Sequence, residues 1–377
     1  MRRCGPAIAR ACLAAAVWAA ATIQSAPAGA QMATADRLEA PGWWPTKSAV
    51  ERTDYAGAAA CADCHPSYAR QAATSMALTA SRARDASILD ARPEWTFAQG
   101  DTRYTIDTRD GRRRYAVRRG AQSLEVDLGW ALGAGSVGQT YLYEKDGVFH
   151  ESRISYFDAL QAFDVTPARG GRAAATLEEA LGRPLKPAEA LRCLGCHTTA
   201  TAPAGALDAA GLTPGIRCEA CHGPGRIHVA SARGGEPEPA GIFDPSRLSP
   251  ADAVDFCGAC HATFWDVKLA DEKGIAALRS QPYRLQSSRC WGKGDRRLTC
   301  VACHDPHRPL ERDPSAYDAR CTSCHVAANS TPTAERPGRP CPTAQEGCVS
   351  CHMPKYEVPE MHHDFTDHLI RVVRSGR

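Results

Sequence analysis

Aromatic side chains make up only 7% of this 377-residue chain, and methionine occurs five times. Glycine and proline are plentiful instead, at 31 and 26 residues. That composition is thin material for several side-chain cores, so some other apolar mass is expected in the interior. Charge of one sign is lacking as well: 45 basic residues face 42 acidic ones, which excludes the basic excess or stripe that a nucleic-acid partner needs. Long apolar runs are missing beyond residue 30. None approaches the roughly 18 residues of a membrane-spanning helix.

The N-terminus carries the one apolar segment of note. Arg2, Arg3 and Arg10 form a positive region, Cys12 to Ile23 is Ala-rich and apolar, and Ala28-Gly29-Ala30 supplies an A-x-A cleavage site. This is the grammar of a secretory signal peptide over 1–30. Neither Cys4 nor Cys12 lies in a lipoprotein context, so a soluble mature chain starting near Gln31 is expected. Losing three of the 45 basic residues leaves 42 against 42 acids, a formally neutral polypeptide.

What the chain has in excess is cysteine. Of 18, fourteen fall in seven Cys-x-x-Cys-His runs: Cys61, Cys64, His65; Cys193, Cys196, His197; Cys218, Cys221, His222; Cys257, Cys260, His261; Cys300, Cys303, His304; Cys321, Cys324, His325; and Cys348, Cys351, His352. Two thiols three residues apart can add across the two vinyl groups of one haem, and the next His is then held beneath the iron. Zinc ribbons do not require a His after every second Cys, and disulfide frameworks do not repeat this pattern. Seven covalent haems c are therefore expected, with iron in each. Their propionates would make the finished protein acidic, which favours basic partner surfaces. Cys290 and Cys341 remain, and in an oxidising compartment a disulfide between them is favoured over two free thiols or an unusual ligand.

Along the chain, 31–93 reads as an N-terminal arm, with Trp43, Trp44 and Pro45 docking late, followed by the first motif and a helix from Pro66 to about Arg84. From 94 to 168 the periodicity changes. Tyr104-Thr105-Ile106 and Tyr115-Ala116-Val117 flank Asp110-Gly111, and Gln139 to Tyr143 and Val148 to Phe157 flank Asp146-Gly147, which predicts two hairpins. The Gly133–Gly138 stretch matches GxGxxG, but a strand pattern follows it, so it reads as a turn and not as a dinucleotide site. In 169–377 six motifs crowd together, their first cysteines 25, 39, 43, 21 and 27 residues apart. The expected fold is therefore a multihaem cytochrome c, mainly short α-helices and coil packed around haems, with a small β-rich insert near 94–160.

Several segments resemble a family. IRCEACHGPGRIHV, SRC followed by RLTCVACHDPH, CVSCHMPKYEVP with HHDFTDH, and TYLYEKDGVFHESRISY are similar to multihaem cytochromes c with doubled CxxCH motifs, over roughly 56–375. Several members carry an appended tetratricopeptide region, which is not expected in a chain ending at Arg377. The resemblance implies electron transfer in the periplasm or at the cell surface.

Candidate sixth ligands are the other histidines, His150, His228, His307, His362, His363 and His368, together with Met76. That makes seven candidates for seven irons. His307 lies three residues after His304 and cannot easily reach the opposite face of the same porphyrin, so it should cap another haem; the same holds for His228 after His222. His362 and His363 are adjacent and point apart, so one of the two is expected to ligate. His368, in FTDH, recurs in the family's motif. His150 alternates within a strand, facing either an iron or solvent. Met76 lies eleven residues beyond His65, about 16 Å along an unbroken helix, and is either core or the ligand of a high-potential haem.

Closely packed haems with both axial positions filled make an electron relay with no catalytic residue, serving redox proteins or quinol-oxidising membrane cytochromes. Two alternatives stay open: an oxidoreductase of a small nitrogen or sulfur compound with one open haem, and a subunit of a surface polymer. N-terminal sequencing of the exported protein should begin at Gln31; retention of the Ala-rich segment would refute the assignment of a signal peptide.

Overall fold

The computed structural model describes residues 51–373 apart from 202–206, 239, 272, 275, 292–294 and 296. The signal segment 1–30 and the start of the arm, including Gln31 and Trp43-Trp44-Pro45, lie outside the described residues.

The dominant element is an antiparallel sheet of nine strands: β1 (Ala80–Arg82), β2 (Glu94–Gln99), β3 (Thr102–Arg109), β4 (Arg112–Arg119), β5 (Gln122–Leu132), β6 (Gly138–Lys145), β7 (Val148–Phe157), β8 (Ala162–Val165) and β9 (Gly182–Pro184). Strands β2 to β8 pair in sequence order, β1 adds to β5, and β9 adds to β7. Period-2 patterning drives the assembly. In β3 the side chains of Thr102, Tyr104 and Ile106 are buried, and in β4 those of Arg113, Tyr115 and Val117. Register then sets Tyr104 opposite Val117 and Ile106 opposite Tyr115, so apolar side chains share one face. The two hairpins form at the residues that the sequence marks. Asp110-Gly111 and Asp146-Gly147 all take positive φ, the conformation that a two-residue turn matching the strand twist requires.

Irregular pairing between Leu128 and Trp130 and between Thr140 and Leu142 bends the sheet, and its edges come together. The Trp95 ring on β2 lies 5.3 Å from Phe163 on β8 and 5.6 Å from Tyr156 on β7. The result is a nearly closed barrel whose core holds Trp95, Tyr104, Tyr115, Tyr141, Tyr143, Tyr156 and Phe163.

This overturns the expectation of mainly short helices and coil around haems with a small insert near 94–160. Three additions explain the difference. Strands β1, β8 and β9 have only three or four residues each, too few to display a period, yet they carry the sheet from residue 80 to residue 184. The scarce aromatics are also concentrated here, so this part of the chain has a side-chain core of its own. The helix expected from Pro66 to Arg84 is likewise shorter. A 3-10 helix ends at Ala73, where Thr74 turns extended and its hydroxyl donates back to the Gln71 carbonyl at 2.8 Å.

After β9 the chain runs through short helices and two small hairpins, Thr198–Thr199 with Thr213–Pro214 and Lys355–Val358 with His363–Thr366. Among the described residues, no helix is long and apolar enough to cross a membrane. Because Trp95 bridges the barrel edges, Trp95→Ala should cost about 3–5 kcal/mol. Denaturant unfolding followed by far-UV circular dichroism would show this; a change under 1 kcal/mol would contradict the packing role.

Candidate haem-binding sites

Each motif sits on or at the end of a helical turn: Ala58–Cys64, Pro187–His197, Cys218–His222, Pro250–His261, Cys300–Cys303, Asp318–Thr322 and Cys348–His352. On such a turn, residues i, i+3 and i+4 share one face. The two sulfurs and the following imidazole are thereby presented together, which is the arrangement that two thioether bonds and one axial ligand need.

The imidazoles are oriented from a distance. Nδ1 of His197 donates to the Thr79 carbonyl, Nδ1 of His222 to Phe243, Nδ1 of His325 to Arg339 and Nδ1 of His352 to Arg371, each at 2.9 Å. A carbonyl oxygen only accepts, so Nδ1 carries the proton and Nε2 keeps its lone pair, the tautomer that a metal ligand requires. The Thr79 carbonyl also accepts from the Gly133 amide at 2.6 Å, so the barrel itself fixes the second motif's ring. At the sixth motif the ring lies over Gly338, where a Cβ would come within 2.6 Å of His325 Nδ1; only glycine leaves room. Burial holds His197 and His304 below the usual histidine range and pushes His368 down to about 4. These rings stay neutral, as ligation demands.

Three of the candidate sixth ligands meet a motif imidazole. His228 faces His65 at 6.4 Å between ring centroids with the planes 17° apart, His307 faces His222 at 6.1 Å and 17°, and His368 faces His304 at 6.2 Å and 43°. Two metal–imidazole bonds of about 2 Å plus roughly 1.1 Å from each nitrogen to its ring centre give about 6.2 Å. The pairs thus fit one iron between two rings. The geometry also links motifs, since the residue following the third motif faces the first, and those following the fifth and seventh face the third and fifth.

The structure places the other candidates elsewhere. His150 packs its ring on Tyr143 at 5.0 Å and its Nδ1 donates to Val148 O. His362 donates from Nε2 to Asp164 at 2.9 Å and meets the Phe157 ring edge-on. His363 lies 4.9 Å from the Phe365 ring. Met76 is half-buried in the turn before β1, its carbonyl accepting from Ile216 N. Every cysteine among the described residues is a free thiol, so the expected Cys290–Cys341 disulfide is not formed. Cys290 instead lies near Cys303, Cys321 and Cys324.

Two acidic residues, neither of them part of the Cys-x-x-Cys-His pattern itself, tie the sites together. Glu219, inside the third motif, accepts from the amides of Ala56 and Gly57 at 2.7 and 2.9 Å, ahead of the first motif's helix. Asp318, just before the sixth motif, accepts from Gly347 and Cys348 at 2.8 and 2.9 Å, capping the seventh motif's helix. Carboxylates satisfy the free amides there and complement the helix dipole. The signal was an acid beside a motif cysteine, but its partner lies far along the chain.

Repeated turns that each offer two sulfurs and an imidazole are the donor set that covalent attachment of haem c would use. Residues 150–223 match the family model of cytochrome c554 and c-prime. The chain is 24% identical over 180 residues to the multiheme cytochrome MtrA of Shewanella baltica (strain OS185), covering 43% of this chain and 52% of that one. It thus spans about half the length of this curated relative. No solved structure matches it. Both matches are to c-type cytochromes, the second of them multihaem, and they support placing the chain in that class.

His368 is held by its neighbour Asp367, which is fully buried and grips Arg284 through two bonds of 2.7 and 2.8 Å. Asp367→Ala leaves that guanidinium unpaired and should cost about 3–5 kcal/mol. Urea unfolding would check it; an unchanged midpoint would show that the pair contributes nothing.

Proposed function

We propose that the chain is an exported electron relay carrying seven haems c, one on each motif, in the periplasm or at the cell surface. The observation that carries this reading is the contact between motifs. In their thiol form Cys61 and Cys218, Cys257 and Cys300, and Cys321 and Cys348 lie within hydrogen-bonding reach of one another. Cys221 and Cys257, and Cys303 and Cys321, are near enough to influence each other electrostatically. The Cys196 thiol donates to the Ala259 carbonyl, inside the fourth motif, at 3.7 Å. The motifs therefore adjoin in the order first, third, fourth, fifth, sixth, seventh, with the second joining at the fourth.

Porphyrins fastened through neighbouring sulfurs lie close together, and an electron entering at one end has a continuous line of redox groups to follow. Residues on this chain would hold the ligands and fix their tautomers; the haems would supply the one-electron chemistry. His228, His307 and His368 would serve as the second iron ligands at the first, third and fifth sites, and haems so held would offer no iron to substrate. Partners are redox proteins, including quinol-oxidising membrane cytochromes, with basic surfaces facing the propionate-rich relay.

Two measurements test the proposal. The intact mass of protein matured with a cytochrome c assembly system should show seven haems; fewer would refute the count. His228→Ala, His307→Ala and His368→Ala should each convert one low-spin haem to a form that binds one carbon monoxide. Three variants with unaltered spectra would overturn the ligand assignment.

A further inference from the structure

Glu219 stands between the two cysteines of the third motif. Only 3% of it is exposed. One carboxylate oxygen accepts from Ala56 N and Gly225 N at 2.7 and 2.8 Å, and the other accepts from Gly57 N at 2.9 Å. All three partners are donors, which suits the ionised form; a protonated carboxyl would need an acceptor for its own hydrogen. Among the described residues no lysine or arginine pairs with it. Arg52 pairs with Asp208, Arg226 with Asp54, and the Arg217 Nε donates to the Pro214 carbonyl.

Those three amides are not arbitrary. Ala56 and Gly57 lead into the Ala58–Cys64 helix of the first motif. Gly225 ends the turn that carries the chain from His222 to His228, the residue facing His65. One buried negative charge therefore touches both axial sides of the first site and the backbone of the third, and its field reaches both Cys61 and Cys218.

Resting on the seven-haem reading, we infer that Glu219 is a shared positioning and redox-tuning residue that holds the first and third haems at lower potential than their ligands alone would set. A ferric haem core carries one more positive charge than a ferrous one. A fixed anion in a poorly screened interior favours the more positive state, so it disfavours reduction. The effect falls on two haems at once because the carboxylate is common to both sites.

The test compares Glu219→Gln with Asp63→Asn, which removes an acid from the first motif at an exposed position where solvent screens it. Spectroelectrochemical titration of the matured Glu219→Gln protein should show two haems easier to reduce. A threefold change in their ferric-to-ferrous ratio at fixed potential is expected, about 30 mV at 59 mV per tenfold for one electron. Haem count and low-spin spectra should be unchanged, and Asp63→Asn should leave every potential in place. Unmoved potentials in Glu219→Gln, or an equal shift in Asp63→Asn, would overturn the inference. Should Glu219→Gln fail to mature, Glu219→Asp decides instead: with the charge drawn back by one methylene, the same two potentials should move while the others hold, and an unmoved pair refutes the role. The seven-haem reading is judged separately, by intact mass, since a protein short of a haem elsewhere would still report on Glu219 at the first and third sites.

Discussion

An imidazole that gives its Nδ1 proton to a backbone carbonyl has its tautomer fixed and its Nε2 lone pair aimed. That single constraint recurs at four of the motif histidines, and much of the architecture exists to supply the carbonyl. The acceptors lie outside the motifs, 118, 21, 14 and 19 residues away in sequence. A haem site in this chain is thus not a five-residue unit. The motif brings the sulfurs and the ring, while a remote strand or loop determines which way the ring faces. Losing the remote partner leaves the motif intact and its ligand free to turn.

The same logic explains why the parts interlock. The imidazoles that face motif histidines come from segments that follow other motifs, and an acidic side chain beside one motif caps the helix of another at two places. Bis-histidine pairing, capping and thiol contact all connect the first motif with the third, and the sixth and seventh are joined by capping and thiol contact. Short helices of four or five residues, such as Cys300–Cys303 and Cys348–His352, are not stable alone in water. Cross-capping and, on the proposed reading, covalent porphyrins would supply what helix propensity cannot.

How much of this was written in the sequence depends on the range of the interaction. The seven motifs and both two-residue hairpins are local patterns, and residues such as Asp110-Gly111 declare themselves within four positions. The inference that His228 and His307 should face imidazoles of other motifs was also available, because neither can fold back onto its own neighbour. The extent of the sheet was not legible. Strands of three residues have no period, and β9 joins β7 only because the intervening chain returns along it. Glu219 and Asp318 were hidden for the same reason, since an acid beside a cysteine reveals nothing until its partner amides are known. For His362 the adjacent HH pair offered a candidate, and the imidazole's engagement by Asp164 and Phe157 depends on partners about 200 residues away that the local sequence does not reveal.

The barrel is then better understood as part of the haem architecture than as an insertion into it. The stretch matching the cytochrome c554 and c-prime model begins at His150 on β7 and ends just past the third motif, so it crosses from sheet to motif without a break. Phe149 on β7 packs in one cluster with Cys193, Leu194 and Leu185, and its carbonyl accepts from Leu185 N at 2.8 Å. Thr79, on the approach to β1, is pinned to Gly133 and in turn pins His197. A closed sheet with an aromatic core resists the small shifts that would spoil a ligand bond. Anchoring the second motif to it gives the line of motifs one rigid reference point, at the place where that motif meets the fourth.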